Sequence, residues 1–467
     1  MRQNNIRNSF SLLLLVAGLF VSTITPAYAQ KVFNAKSAFL DNGLQIIVVE
    51  NHRVPVATQM IWYKIGAADE LPDKSGIVHF LEHLMFKGHK YPDLGKYAPG
   101  EFSRIVRSIG GKDNAFTGQD YTAYHQSVAV EHLEEMMRIE AARMRGLNVP
   151  EEEVKSENKV ICEERRQRTD NNPSAQLAEK MNAALFPVHP YGIPVIGWMK
   201  EMKTLTWEDA KHFYDLFYSP NNAILVVSGD VTLPQVVEMA KRTYGLLPAS
   251  TTVPSRIRRH TKKSFPPHEP IIMKHENVQE PLFRRVYRVP SGRQDLKTSL
   301  ALEVLEEIMG APSTGRLYKS LVIEQKLAAN IGLYYSSNSW DDGTLGISAT
   351  PVSADGVNSL RQTIDKELRK MIKDGPLPEE VADAIMRLKN SAVYARDSLS
   401  APAMIIGSNM ATGVSLADIE NWPEMISAVT ADDIKHAAQI YLNPDEPSRT
   451  PPIEGILLSE DNKEGEE

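Results

Sequence analysis

His79, Glu82 and His83 lie in the pentapeptide HFLEH, and their types and spacing suit the binding of a metal ion and the activation of water beside it. On a helix of 3.6 residues per turn the two His stand one turn apart on one face, where both rings reach a single ion. Glu82 borders the same face and is placed to take a proton from water at that ion. The order His-x-x-Glu-His is the inversion of the more common zinc signature His-Glu-x-x-His. A chain with twelve His meets such a pattern by chance now and then, the plain alternative being a solvated amphipathic helix, so a third ligand has to be found.

A catalytic zinc site takes three protein ligands and keeps a fourth position open. The segment PEEEVKSENKVICEERRQR, from Pro150 to Arg168, reads as a helix, with Pro150 ahead of a run of acids and apolar residues at Val154, Val160 and Ile161. Glu157 and Glu164 are seven apart, two turns along one face, while Glu163 points about 100° away. Glu164 is favoured as the third ligand, with Glu157 as a carboxylate behind it. Spacing alone leaves Glu163 nearly as good, and acidic runs are usually solvated helix faces.

The metal ligands need a strand beside them to present a substrate. After the turn-forming Gly110 and Gly111, the stretch NAFTGQDYTAYH from Asn114 to His125 suits an edge strand. A free edge can pair with an extended peptide through main-chain hydrogen bonds, with little demand on its sequence.

These segments together resemble the pitrilysin-type inverted-motif zinc peptidases, the family of insulin-degrading enzyme and the mitochondrial processing peptidase. In that family a Glu about eighty residues after the second His is the third ligand, and another functional Glu precedes it by seven residues. The resemblance thus implies His79, His83 and Glu164 as ligands of one Zn²⁺ per chain, and Glu82 and Glu157 as catalytic carboxylates. It also implies Asn114 and Ala115 as substrate-binding residues of the Asn-Ala-x-Thr edge strand. The implied fold is α+β, with two homologous tandem α/β-roll domains forming half of a clamshell around a chamber.

At 467 residues the chain is too long for one ordinary core, and its 42% hydrophobic and 24% charged content is that of a globular protein with no nucleic-acid or membrane bias. Arg2 and Arg7, the apolar run SLLLLVAGLFV and the small-residue sequence AYA at Ala27 to Ala29 read as a secretory signal peptide. Cleavage after Ala29 would release an exported, periplasmic protein without a membrane span, mildly acidic once two Arg are removed. Cys162 is the lone thiol, so no intrachain disulfide can form, and its place on the acidic helix suits a small packed hydrophobe. The basic cluster RIRRHTKK, Arg256 to Lys263, is flanked by prolines and reads as a solvated linker.

The chain also repeats itself. TWEDAKH from Thr206 and TADDIKH from Thr430 are offset by 224 residues, and each runs on into an apolar strand, ILVVSGD and ILLSED. The same offset lays HFLEHLM on EVLEEIM, so that Glu303 and Glu307 take the places of His79 and His83. The second half therefore keeps the helix without the imidazoles a zinc site needs. The expected division is a signal peptide over 1–29, a metal-binding domain over 30–246, a linker over 247–270, a homologous non-catalytic domain over 271–458 and an acidic tail over 459–467.

Many active members of the resembled family carry an Arg and a Tyr seven residues apart in the second half. In the matching segment LVIEQKLAANIG, Val322 and Ala329 stand at those positions, and neither side chain donates a hydrogen bond. Arg316, Tyr318, Tyr334 and Tyr335 lie nearby, though RLY at Arg316 matches a structural part of the family pattern. The expected function is that of a zinc-dependent endopeptidase acting on peptides or unfolded polypeptides, as the catalytic subunit of a heterodimer whose homologous partner supplies the Arg/Tyr pair. A non-catalytic assembly or chaperone-like subunit of the same fold is the alternative.

Overall fold

The structure, a computed structural model, describes residues 31–256, 258, 269–445 and 451–460. The expected signal peptide, most of the acidic tail and part of the basic cluster lie outside the described residues.

The first half is built on a six-stranded sheet. Its strands are β1 (Lys36–Phe39), β2 (Gln45–Glu50), β3 (Val56–Tyr63), β6 (Lys112–Thr117), β7 (Thr122–Ala129) and β8 (Ala223–Gly229), and a small hairpin of β4 (His89–Tyr91) and β5 (Gly95–Tyr97) stands apart. The order across the sheet is β1-β2-β8-β3-β7-β6. β2 runs parallel to β8, while β3 is antiparallel to both of its neighbours.

The second half repeats this plan with β9 (Ile271–His275), β10 (Leu282–Val289), β11 (Ala328–Ser336), β12 (Gly343–Pro351) and β13 (Ile453–Ser459), in the order β11-β12-β10-β13-β9. Matching β2 to β9, β3 to β10, β6 to β11, β7 to β12 and β8 to β13 reproduces the first order, including the single parallel pair. The repeat seen in TWEDAKH and TADDIKH is thus a repeat of the fold. Both segments begin helices, Trp207–Phe217 and Ala431–Tyr441, and in each the threonine hydroxyl accepts from the backbone N–H of the Asp three residues on, at 3.2 Å. β13 runs through Ser459, one residue past the expected boundary of the tail.

Each sheet packs helices of its own half on one face, and the other face is covered by a helix of the opposite half. Helix Ala401–Ala411 lays Ala403, Ile406 and Ala411 on Met60, Trp62, Ile224 and Val226 of the first sheet. Helix Pro173–Leu185 lays Leu177, Met181 and Leu185 on Ile453 and Leu457 of the second. The two helices overlap at the repeat offset, so the exchange is reciprocal. This explains why QIIVVE and AILVVSG are almost continuously apolar: strands covered on both faces have no solvent side for alternating polar residues.

The first arginines of the basic cluster are not solvated, contrary to the expectation from its charge and prolines. Arg258 is buried, its side chain 2% exposed, and its guanidinium meets Asp69 at 3.0 Å, Asp120, and Asp341 at 3.4 Å. Arg256 stacks over Trp340 and lies 3.5 Å from Asp69. Asp69 and Asp120 belong to the first half and Asp341 to the second, so these arginines stitch the halves together. Buried charges require partners, and three carboxylates supply them.

The reciprocal packing depends on close approach at Gly407, where an added Cβ would lie 2.0 Å from Trp62 Nε1, and at Gly455, where it would lie 2.3 Å from Met181 Sδ. The indole is held in a packed core and cannot yield, whereas a thioether can bend away. Gly407→Ala is therefore expected to cost about 1–3 kcal/mol and Gly455→Ala distinctly less, as read from urea-unfolding midpoints. Equal costs at the two positions would contradict this packing.

Candidate metal centre

HFLEH lies on the helix Ile77–Leu84, whose inner face carries Phe80, Leu81 and Leu84, each fully buried in the core of the first half. The N-terminal turn is anchored by two acids. Glu70 accepts the backbone N–H groups of Gly76 at 3.0 Å and Val78 at 2.9 Å, and Glu201 accepts that of Ser75 at 2.8 Å. These bonds satisfy donors that a helix start leaves open and fix the helix along its axis.

The second helix, Glu151–Arg165, begins after Pro150 with three acids in its first turn, where the helix dipole favours them. Val154, Ile161 and Cys162 are buried against the core, which bears out Cys162 as a packed hydrophobe. Arg165, at its end, is buried in a two-pronged pair with Glu179 at 2.9 Å and donates to the carbonyl of Gly197 at 2.8 Å.

This packing turns the two adjacent acids in different directions. Glu163 points to solvent and pairs with Arg166 at 2.7 Å. Glu164 turns inward, its Oε2 lying 3.6 Å from His79 Nε2 and 3.3 Å from His83 Nε2. One ligand atom from each of His79, His83 and Glu164 lies within 4.8 Å of the others, the one such group among the described residues. Two ligands about 2.1 Å from one ion at the tetrahedral angle would stand about 3.4 Å apart, so the two His–Glu distances fit zinc coordination.

The two rings differ in their surroundings. Burial pulls His79 down to about 3, which keeps it neutral. Burial also acts on His83, but the hydrogen bond from its Nδ1 to Glu157 at 3.0 Å and the charges of Glu164 and Glu157 outweigh it and raise its pKa. For Glu157, burial is opposed by His83 and by Lys87, 2.6 Å away, and the balance lowers its pKa. An ionised Glu157 can only accept, so Nδ1 of His83 carries a proton toward it, which leaves Nε2, on the Glu164 side, as the ring atom available to a metal.

Glu82 lies beside this group. Its carboxylate accepts a hydrogen bond from Thr117 Oγ1 at 2.5 Å, and burial raises its pKa against the lowering effects of Thr117 and His83. Thr117 ends β6, which among the described residues pairs only with β7 and lies at the edge of the sheet. Asn114 is exposed on that edge and Ala115 half-buried.

Three residues near the site were not singled out from the sequence. Thr117 closes the NAFT stretch. Lys87 follows His83 by four residues and faces Glu153 and Glu157. Arg168, four residues after Glu164, holds its second oxygen at 2.8 Å. For the last two, i,i+4 spacing was the available signal.

In the second half the corresponding helix is Leu296–Gly310. Glu303 accepts from Trp422 Nε1 at 2.9 Å, and Glu307 pairs with Arg387 at 2.5 Å. Val322 lies in the helical turn Lys319–Glu324 and Ala329 on β11. Arg316 is committed to Glu380 and the Gly375 carbonyl, and Tyr335 donates to the Pro290 carbonyl, whereas Tyr334 is largely open.

Comparison with known proteins agrees with this geometry. Residues 45–197 match the family described as "Insulinase (Peptidase family M16)", and residues 204–388 match the description "Peptidase M16 inactive domain". The chain is 32% identical over 297 residues to "Zinc protease PqqE" of Helicobacter pylori, an alignment covering 63% of this chain and 65% of the relative. It is 26% identical over 408 residues, 86% of each chain, to "Uncharacterized zinc protease SCO5738" of Streptomyces coelicolor. The solved structure of a protease from Helicobacter pylori superposes with a TM-score of 0.81 at 26% identity, covering 91% of this chain and 99% of that one. With an inverted His-x-x-Glu-His helix, a Glu from a second helix and a duplicated sheet, the chain belongs to the pitrilysin-type M16 family of zinc metallopeptidases.

Proposed function

We propose that the chain is a zinc endopeptidase that cleaves peptides or unfolded polypeptides, held as extended strands in an enclosed chamber. The observation that carries this reading is the convergence of His79, His83 and Glu164 with Glu82 alongside. His79 Nε2, His83 Nε2 and Glu164 Oε2 would hold the ion. Zinc bound there supplies Lewis acidity toward water and toward the scissile carbonyl.

The protein's own groups do the rest. Glu82, fixed by Thr117, takes a proton from the attacking water and passes it to the leaving amine. Its raised pKa makes it the stronger base for the first of these transfers and a usable acid for the second. Glu157 holds His83 in the tautomer a ligand needs, and Lys87 holds Glu157. The free edge of β6, at Asn114 and Ala115, pairs with the substrate backbone and brings its carbonyl toward Glu82.

The leader-like N-terminus supports export to the periplasm. The apolar Val322 and Ala329, with Arg316 tied into the fold, support a homologous partner that supplies an Arg/Tyr pair. The non-catalytic alternative is disfavoured because Glu82, which a purely binding subunit has no use for, is half-buried and held by Thr117 beside the ligands.

Glu82→Gln is expected to keep its zinc and to lose about 10²–10⁴-fold in peptide turnover, measured with a quenched fluorescent peptide. Normal turnover would remove Glu82 as the base. His83→Ala should lose zinc outright, and Glu157→Gln should weaken zinc binding about 10–100-fold, both by metal analysis against a competing chelator. Full zinc occupancy in His83→Ala would refute the ligand assignment. The single chain should cleave slowly and gain activity from a homologous chain bearing the Arg/Tyr pair. Full activity alone, unchanged by such a chain, would refute the partner.

A further inference from the structure

Between the helices of the second half lies a cavity of about 360 Å³ that takes no part in the metal site. It is bounded by helices Leu296–Gly310, Pro378–Asp397, Ala401–Ala411 and Leu416–Ser427, and its walls are mainly apolar, with Leu296, Ala392, Ile405, Ile419 and Met425 among them. Val32 and Phe33 complete it. They are pinned there because the carboxylate of Glu420 accepts the backbone N–H groups of Phe33 at 3.1 Å, Asn34 at 3.2 Å and Ala35 at 2.7 Å.

The carboxyl group of Glu303 interrupts the apolar lining. Glu303 stands, at the repeat offset, where His79 stands in the first half. Its Oε2 accepts from Trp422 Nε1 at 2.9 Å, while its Oε1 has no hydrogen-bond donor among the described residues. Burial lifts its pKa to about 7. Asp418 is the other ionisable residue of the lining, which holds no Lys, Arg or His. The lining therefore offers carboxyl groups and no cationic side chain to pair with them.

We propose that this cavity binds a protonated primary amine carried on an apolar body, with the ammonium group at Glu303 Oε1 and the body among the helices. Its volume is that of a small-ligand pocket, and apolar walls with a few convergent polar groups are the usual make-up of such sites. An ammonium supplies the missing donors and the missing charge together, and its presence favours the ionised form of Glu303. An alcohol of the same shape supplies a donor without the charge, and a carboxylate meets like charge. Two sources carry this chemistry, a free apolar amine and the N-terminus of a peptide with an apolar first residue.

The site is separate from the zinc centre, so its test is independent of peptidase activity. The full chain would be titrated calorimetrically with phenethylamine, phenethyl alcohol, 3-phenylpropanoate, the tripeptide Phe-Gly-Gly and its N-acetylated form. Phenethylamine is expected to bind at least tenfold more tightly than the alcohol and the carboxylate, and Glu303→Gln to abolish that preference. Ala392→Phe, which fills the cavity and leaves Glu303 in place, should abolish binding of the amine altogether. Binding of Phe-Gly-Gly but not its acetylated form would support the site with a peptide N-terminus as the source, and binding of phenethylamine without the tripeptide would support it with a small amine. Equal affinity for amine and alcohol, or an amine affinity unchanged in either variant, would overturn the proposal.

Discussion

Two imidazoles from one helix and a carboxylate from another can share a small ion only if the two helices are held in a fixed rotation and register. A slip of one residue along Glu151–Arg165 would replace Glu164 by Glu163, which points to solvent. The register is fixed by the buried faces of both helices and by groups at their ends, Glu70 and Glu201 at one and Arg165 at the other. Between them the bond from His83 to Glu157 ties helix to helix inside the site itself. That bond does two things at once, orienting a ring and setting its tautomer, and Lys87 keeps its acceptor ionised.

Duplication gives this site a stable support. Each half covers the outer face of the other's sheet with an equivalent helix, and the strands so covered are buried on both sides. Neither half can hide those strands alone, so the two are obliged to fold together. The buried arginines within the linker, Arg256 and Arg258, strengthen the joint, because separating the halves would leave Asp69, Asp120 and Asp341 with a poorer set of partners. In the second half, where Glu303 and Glu307 stand in place of the two His, the acids have other partners: Glu307 pairs with Arg387, and Glu303 faces an apolar cavity.

Local patterns made much of this legible in advance. The i,i+4 spacing of His79 and His83 and the two-turn spacing of Glu157 and Glu164 depend only on helix geometry, so they could be read without a partner in view. The shared offset of two motif pairs exposed the duplication, and the strand order confirms it. What escaped was non-local. Thr117 reaches Glu82 from 35 residues away, and nothing in the intervening sequence marks that contact. Arg258 looked solvated because charge and proline usually mean an exposed linker, yet acids far along the chain were waiting to receive it. The choice of Glu164 over Glu163 needed the rotation of the helix, which follows from burying Val154 and Ile161 together.

His79, His83 and Glu164 are proposed to bind one zinc ion. The most direct test is anomalous diffraction from crystals of the zinc-loaded protein, recorded on both sides of the zinc absorption edge. One zinc peak per chain is expected, bonded to Nε2 of His79, Nε2 of His83 and a carboxylate oxygen of Glu164. A zinc peak held by other residues, or none at this position in the loaded protein, would contradict the assignment.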